Sequence, residues 1–352
     1  MTAARVDEKT VESFMEALLD TYQQAAEVIA PQQTSVDLGG IPVSVETAGG
    51  SLHPRITRML VRSSRRPSQT DGRILAFDVA RTRVLPPKPP WRQDTSGFAA
   101  GVRGLPEGRF LAESHAEPET FALCDRSRRV SVYWSRYGDG LYRSLESAPL
   151  RAQLRWLGMD RGLHLMHAAA VGRGRDGLLL MGAGGAGKST TAFAAMLAGM
   201  AFVSDDFCVL RPEPDGSTTV MPLVTIGRAM ENTLRLLPGL AERVVNRGAP
   251  ADHKAEIELT DVIAPALTVR ALGVPVQDRA SGAPRRVPAG TFVRKVLLGT
   301  MSAYPGMADV SFRFLARLAE ALPCFELPVG PDLAGVEDLI DGALSMSAQV
   351  PA

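Results

Sequence analysis

A glycine-rich segment between residues 182 and 189 carries the clearest chemical signal in the sequence. It reads Gly-Ala-Gly-Gly-Ala-Gly-Lys-Ser and matches the pattern G-x-x-x-x-G-K-[ST]. Glycines in such a loop let backbone N–H groups turn toward phosphate oxygens, and a following helix adds the positive end of its dipole. In this motif Lys188 reaches the β- and γ-phosphates and Ser189 holds Mg²⁺. We therefore predict an ATP site made by Gly182, Ala183, Gly184, Gly185, Ala186, Gly187, Lys188, Ser189 and Thr190.

Two adjacent acids follow this loop after one predicted helix and one short apolar segment. Asp205 and Asp206 come after Phe202 and Val203, so the chain returns beside the loop at this point. Either carboxylate can then meet the metal or the γ-phosphate. Successive side chains of an extended chain point to opposite sides, so only one of the acids can face the γ-phosphate directly. The alternative interpretation is an ordinary Asp-Asp turn between two strands.

A histidine stands before the loop strand. His167 begins a predicted strand over residues 167–171, which precedes the strand that leads into the loop. A lone histidine is usually structural. The position of His167, more than its residue type, makes it a candidate for the catalytic site.

The elements that flank the loop fit this interpretation. Leu178 to Met181 is a short continuous apolar run, which is typical of a buried strand. After Ser189 the chain continues in helix-forming residues as far as Gly199, a plausible C-cap. Strand, glycine loop and helix together predict a phosphate-binding cradle.

The rest of the chain divides into two regions. Residues 1–146 contain a predicted helix over 11–26 and then short alternating segments, which predict a β-rich N-terminal domain that recognises the acceptor. A helix predicted over 148–158 leads into a second domain, residues 147–352, which holds the loop. We read residues 292–298 as a strand or a short helix.

Composition limits the function classes. The chain has 352 residues, 45% hydrophobic and 22% charged, with a net charge of +1, so we expect no nucleic-acid partner. No run approaches the roughly 18 apolar residues of a membrane-spanning helix. The three cysteines lie far apart and show no metal-binding spacing. These features predict a soluble cytoplasmic protein without a membrane partner.

In order and residue type, the motifs resemble the core of the HPr kinase/phosphorylase family. That family has a histidine on the preceding strand, a loop of the form G-D-S-G-V-G-K-S and an A-D-D motif; this chain has His167, the loop and Ser204-Asp205-Asp206. The resemblance covers about residues 160–212. It implies that Asp206 is the catalytic base, that His167 supports it and that Ser189 binds Mg²⁺. It also implies an α/β P-loop kinase domain with a mixed, largely antiparallel sheet.

The chain departs from the family after the acids. The bifunctional enzymes carry an E-I-R-G-L-G-like signature with a metal-binding glutamate, whereas this chain has Val-Thr-Ile-Gly-Arg-Ala-Met-Glu over residues 224–231. Glu231 is therefore the candidate for that metal role beside Asp205, and Lys254 is the candidate for the family's later basic position. The departure removes the basis for expecting phosphorolysis, a hexamer or HPr as the acceptor. Related kinases include lasso-peptide tailoring kinases, which modify precursor peptides.

The sequence leads to one principal hypothesis and two alternatives. We expect an ATP- and Mg²⁺-dependent serine/threonine phosphotransferase with Asp206, His167 and Lys188 as catalytic residues, acting on a peptide or small protein such as a precursor peptide. A small-molecule alcohol kinase would use the same loop and acids. A regulatory protein that senses nucleotide would bind ATP and transfer nothing. A homo-oligomer is compatible with each of them.

Overall fold

A computed structural model gives the fold in two compact units, Met1–Gly162 and Leu163–Ala352. It describes residues 6–91, 100–101, 105, 108–116, 119–137, 148–248, 253–278, 282–301 and 308–348. The sequence predicts a domain boundary between residues 146 and 147. The structure divides the chain between residues 162 and 163, after the helix that follows the predicted boundary. That helix packs within the first unit, where Leu157 lies against Gly72 at the start of a strand.

The first unit is a seven-stranded sheet with helices. The strands are β1 (Gln32–Leu38), β2 (Ile41–Ala48), β3 (Gly72–Asp78), β4 (Ala100–Gly101), β5 (Phe110–Ala116), β6 (Glu119–Asp125) and β7 (Val130–Ser135). Their order in the sheet is β1-β2-β3-β7-β6-β5-β4. The helices are α1 (Glu8–Val28), α2 (Leu52–Thr57), α3 (Val79–Thr82) and α4 (Arg151–Met159), with a 3-10 turn at Pro67–Gln69.

The long helix α1 supplies much of the apolar core of the first unit. Asp7 caps its N-terminus by accepting a hydrogen bond from the backbone N–H of Thr10 at 2.9 Å. Phe14 is buried and packs edge-on against Trp91 and Phe121. The predicted helix over 11–26 lies within α1, and the predicted β-rich character of this region is present in the sheet.

The second unit is built on a nine-stranded sheet that carries the loop. Its strands are β8 (His164–His167), β9 (Ala169–Arg173), β10 (Asp176–Leu180), β11 (Ala201–Ser204), β12 (Phe207–Pro212), β13 (Thr218–Pro222), β16 (Leu267–Gln277), β17 (Arg285–Val287) and β18 (Cys324–Val329). A separate two-stranded sheet pairs β14 (Ile226–Ala229) with β15 (Ala255–Glu258). The helices are α5 (Lys188–Leu197), α6 (Glu231–Leu236), α7 (Ala289–Met301), α8 (Ala308–Ala321) and α9 (Val336–Ala348), with a 3-10 helix at Pro238–Arg243. Residues 292–298 lie in α7, so the helical alternative of the sequence analysis is the correct one.

The nine-stranded sheet is mixed. The order is β11-β9-β10-β16-β13-β12-β8, and β18 joins β16 and β17. Strand β16 runs parallel to β10 and β18, whereas the other pairs are antiparallel. The second unit is therefore a mixed α/β structure.

The continuous apolar run before the loop is explained by cover on both faces of this sheet. Leu178 and Leu180 pack in the core that α5 and α9 close, and Leu179 and Met181 pack in the core that α7 and α8 close. Alternate residues of a strand point to opposite faces, so all four side chains are buried.

Strand pairing brings several strand ends to one place. Leu180, the last residue of β10, lies opposite Ala169 at the start of β9, and Ser204 at the end of β11 lies opposite Ala170. Phe207 at the start of β12 lies opposite His167 at the end of β8. The predicted strand over 167–171 is therefore interrupted after His167, because the chain changes its pairing partner there. Loop, histidine and acids meet at this edge of the sheet.

Across the part of the chain that the structure describes, no helix has the length and apolar character needed to cross a membrane.

Candidate active site

The glycine-rich loop connects β10 to α5 and is shaped by glycine backbone angles. Gly182, Gly185 and Gly187 have φ angles of 147°, 82° and 91°, which residues with a side chain rarely adopt. The N–H of Ala186 donates to the carbonyl of Ala183 at 3.1 Å and closes a turn. Helix α5 begins directly afterwards at Lys188, and the first N–H groups of a helix have no acceptor within it. This arrangement can hold an anion at the helix N-terminus.

Lys188 lies across the start of the loop. Its Nζ donates to the carbonyl oxygens of Gly182 at 2.9 Å and Ala183 at 3.3 Å, and the residue is 6% exposed. Burial lowers the pKa of the Lys188 ammonium, while the negative charges of Asp206 and Asp205 act in the opposite direction. The lysine is thus held by backbone oxygens at the loop and lies in the electrostatic field of both acids.

His167 and Asp206 form a direct pair beside the loop. The distance from Nε2 of His167 to Oδ1 of Asp206 is 2.8 Å, and both side chains are about one fifth exposed (21% and 20%). The imidazole also stacks on Phe207, with ring centroids 5.1 Å apart. On its other side, Nδ1 lies 3.2 Å from the carbonyl oxygen of Gly299 in α7.

The two ring nitrogens of His167 therefore each face an oxygen. A neutral imidazole carries a single N–H, so the contacts with Gly299 and Asp206 are both hydrogen bonds only when the pair carries one additional proton. The arrangement fixes the ring and places a proton-carrying group next to the acid.

The carboxyl group of Asp206 favours its ionised form. Burial is the largest single influence on the pKa of Asp206 and raises it. The hydrogen bond and charge of His167, together with the charges of Lys254 and Lys188, lower the pKa by more than burial raises it. The net result is a pKa below the usual value. Asp206 therefore carries its negative charge at neutral pH and can accept a proton.

Asp205 has a different environment from its neighbour. It is 1% exposed, and its Oδ2 accepts a hydrogen bond from the backbone N–H of Arg228 in β14 at 3.1 Å. Burial, and then the charge of Asp206, raise the pKa of Asp205 to about 7. A buried carboxylate with so little compensation is a group that a bound cation would stabilise.

The two acids lie together in a tight turn, where the sequence predicts extended chain. The hydroxyl of Ser204 donates to the carbonyl of Phe207 at 2.8 Å and accepts from the N–H of Asp206 at 3.3 Å. The backbone carbonyl of Asp205 accepts a hydrogen bond from the hydroxyl of Ser189 at 3.0 Å. The first turn of α5 is thereby joined to the acidic pair.

The other predicted metal ligand lies in a different setting. Glu231 is the first residue of α6 and pairs with Arg235 at 3.3 Å, with 75% of its side chain exposed. Two residues further on, the hydroxyl of Thr233 contacts that of Thr190 at 2.9 Å, which connects α6 to the loop helix. Within the described ranges, no group of three or more His, Cys, Asp or Glu side chains forms a metal cluster. The contacts thus connect Ser189 to Asp205 and leave Glu231 paired with Arg235.

Gly299 is a residue of this site that the sequence analysis missed. A Cβ at this position would lie 2.2 Å from the carbonyl oxygen of Gly182 and 2.9 Å from Cα of Ala183. Only a residue without a side chain lets α7 approach the loop this closely while its own carbonyl faces His167. No local pattern in the sequence could have revealed a contact between residues so far apart.

We predict that Gly299→Ala disrupts the site. The added methyl group would clash with the carbonyl group of Gly182, and the backbone there must move because it cannot rotate away as a flexible side chain can. The same carbonyl group accepts a hydrogen bond from Lys188, so its displacement disturbs the loop. We expect weaker binding of a fluorescent ATP analogue, measured by titration. Gly290→Ala is the matched control, because a Cβ at Gly290 of the same helix meets nothing within 4 Å. Equal nucleotide affinity in the two variants would contradict the close approach of α7.

We predict opposite effects of the two acids on the stability of the nucleotide-free protein. The pKa of Asp205 is raised in the folded state, so the free energy of unfolding falls as pH rises from about 4 to about 7 and the carboxyl group ionises. Asp205→Asn should raise Tm at pH 8, and this gain should shrink at pH 5. The pKa of Asp206 is lowered, so its charge adds stability above its ordinary pKa, and Asp206→Asn should lower Tm at pH 8. Calorimetry at both pH values measures this, and shifts of the same sign for both variants would contradict the assignment.

Comparisons with known proteins find likeness among solved structures. No family profile matches the sequence, and no curated protein matches it. Among solved structures, the Hpr(Ser) kinase/phosphatase from Coxiella burnetii is similar at 16% identity, with a TM-score of 0.30, over 53% of this chain and 93% of that one. The functional argument therefore rests on the residues and contacts of this chain.

Proposed function

We propose that the chain is an ATP-dependent kinase that transfers the γ-phosphate to a serine or threonine hydroxyl of a peptide or small protein. The observation that carries the proposal is the His167–Asp206 pair, 2.8 Å apart, beside a loop that presents Lys188 and a helix N-terminus. A phosphate cradle alone would bind a nucleotide. An ionised carboxylate held beside it adds the group that a hydroxyl nucleophile requires.

The loop supplies the binding of the triphosphate. Backbone N–H groups at the start of α5 and the ammonium group of Lys188 are donors suited to phosphate oxygens. When phosphate oxygens are present, the Lys188 ammonium has acceptors other than the carbonyl groups of Gly182 and Ala183. These groups also neutralise the charge that develops on the oxygen of the leaving ADP.

The residues fit Mg²⁺ at the junction of loop and acids. Ser189 and Asp205 would hold it, because the Ser189 hydroxyl already reaches the Asp205 backbone and the raised pKa of the buried Asp205 carboxyl group shows that a bound cation would stabilise its ionised form. Bound Mg²⁺ supplies positive charge that stabilises the negative phosphate oxygens. Glu231 is the remaining candidate of the sequence analysis, and its carboxylate pairs with Arg235.

The proposed chemical step moves one proton to this chain. As the acceptor hydroxyl oxygen forms its bond to the γ-phosphorus, the bond to the bridging oxygen of ADP breaks and the hydroxyl proton passes to Asp206. His167 keeps the carboxylate oriented and ionised beforehand. Gly299 holds His167 through its carbonyl oxygen, so the base is positioned from a second element.

The rival functions make different demands on the same residues. A nucleotide sensor needs Lys188 and the loop but has no use for a carboxylate whose pKa is lowered by a fixed histidine. A small-molecule alcohol kinase needs the same base. The preference for a peptide acceptor comes from the resemblance of the motifs to HPr kinases, and assays with both acceptor classes distinguish the two.

We predict that Asp206→Asn separates binding from transfer. The substitution keeps the size of the side chain and removes the base, so transfer should fall by about 10²-fold or more while ATP affinity stays near normal. Lys188→Ala should instead weaken ATP binding and abolish transfer. The measurements are calorimetric ATP titration and mass spectrometry of phosphate added to peptides from a cell extract. Normal transfer by Asp206→Asn would exclude Asp206 as the base, and transfer lost only in Asp205→Asn would show that the two acids have the reverse roles.

We predict that His167→Ala moves the acidic limb of the pH–rate profile to higher pH. His167 lowers the pKa of Asp206, so its loss raises that pKa, and the base becomes protonated at a higher pH. The loss of rate near neutral pH should be smaller than for Asp206→Asn. The readout is kcat/KM against pH. Phe207→Leu is the control, because it removes the ring stacked on His167 but leaves the contacts of His167 with Asp206 and Gly299. The acidic limb of its pH–rate profile should therefore stay at the wild-type pH.

A further inference from the structure

A segment of the first unit carries an unusual concentration of positive charge. Residues 52–70 contain five arginines and no aspartate or glutamate. All five arginines are exposed to solvent. We call them the arginine surface; they are Arg55, Arg58, Arg62, Arg65 and Arg66.

The fold holds this segment on the β1 flank of the sheet. Helix α2 buries Leu52, His53, Ile56 and Thr57, which leaves Arg55 on its outward side. Arg62 lies opposite Val36 of β1, and the N–H of Ser63 donates to the carbonyl of Ser35 at 3.0 Å. Burial, followed by the charge of Arg62, lowers the pKa of His53. The charge of Arg62 therefore acts on the helix that carries Arg55.

Six arginines elsewhere in the first unit form ion pairs with acids. The pairs are Arg73–Glu46, Arg109–Asp125, Arg126–Asp160, Arg128–Glu16, Arg136–Glu119 and Arg161–Asp71. By contrast, Arg55, Arg62, Arg65 and Arg66 have no acidic partner among the residues that the structure describes. In the described part of the first unit, these four exposed guanidinium groups are thus available to an external anion.

We propose that the arginine surface binds an acidic segment of the acceptor peptide. This rests on the proposed kinase function and names the chemistry of its partner. Guanidinium groups form paired hydrogen bonds with carboxylates, and several such groups on one flank suit a run of Asp and Glu residues. The acidic segment would anchor the acceptor by its charge, apart from the serine or threonine that receives the phosphate.

Other anionic partners fit the same surface less well. Residues 52–70 contain no Phe, Tyr or Trp, which removes the aromatic platforms on which single-stranded nucleic acid stacks. None of the exposed large hydrophobic side chains of the described chain falls in this segment, so it offers no anchor for a lipid surface. The net charge of +1 is also small for a protein that binds nucleic acid.

The test compares two triple charge reversals in the full-length chain. Arg62→Glu/Arg65→Glu/Arg66→Glu changes the surface, and Arg175→Glu/Arg313→Glu/Arg317→Glu changes net charge equally at exposed arginines of the second unit. The probe is a fluorescein-labelled Asp/Glu-rich peptide that contains one serine, followed by anisotropy at low salt. We expect the first variant to bind at least about tenfold more weakly than the wild type and the second to bind within a few-fold. Thermal unfolding shows whether both variants are folded.

The outcomes separate this proposal from the proposed function. Equal losses in both variants, or no loss in the first, overturn the arginine surface. The proposal is also overturned if the first variant loses more affinity for a single-stranded oligonucleotide, or for phosphatidylserine vesicles, than for the peptide. Selective loss of peptide binding supports the surface even if no phosphate transfer is detected, in which case the kinase proposal alone fails. If transfer occurs, kcat/KM for the acidic peptide should fall in the first variant, mainly through KM.

Discussion

The carbonyl oxygen of Gly182 is the contact point on which the rest of the site depends. Lys188 donates to it from the loop helix, and the backbone of Gly299 lies against it from α7. The carbonyl of Gly299 in turn faces His167, which contacts Asp206. A continuous series of contacts therefore joins the phosphate loop to the acid that we propose as the base. A movement of the loop therefore changes the position of Asp206, and a movement of Asp206 changes the loop, because most of these contacts involve backbone atoms.

Two adjacent carboxylates acquire different electrostatic roles because the fold gives them different partners. Asp206 faces a histidine and the positive field of Lys188 and Lys254, so its pKa falls although it is largely buried. Asp205 is almost fully buried and lies next to the charge of Asp206, so its pKa rises although the backbone N–H of Arg228 donates to it and acts in the opposite direction. Sequence adjacency thus says little about charge state. The environment of each side chain decides which acid is suited to a proton and which to a cation.

The sequence predicted those parts of the site that local chemistry specifies. The loop motif and its flanking strand and helix are short-range patterns, and the structure places each of them in the second unit. The two acids lie in a turn, whereas the sequence pattern predicts extended chain at this point. The boundary of the strand at His167 was not predictable, because it depends on pairing with β12 rather than on residue type. Gly299 and Arg228 could not be found either, since each reaches the site through backbone contacts across the fold. The metal role of Glu231 follows from the family resemblance alone, and in the structure its exposed side chain pairs with Arg235.

The location of the site follows from a change of pairing that occurs twice. Between His167 and Ala169 the chain leaves β12 and joins β10 and β11, and between Ser204 and Phe207 it leaves β9 and joins β8. Both changes occur at the same place in the sheet, so neither Asp205 nor Asp206 belongs to a ladder. The apolar neighbours remain buried on the two covered faces, while the polar groups collect at the break. Asp205 lies outside the ladders at this break, and the backbone N–H of Arg228, from the separate two-stranded sheet, donates the hydrogen bond that its buried carboxylate accepts.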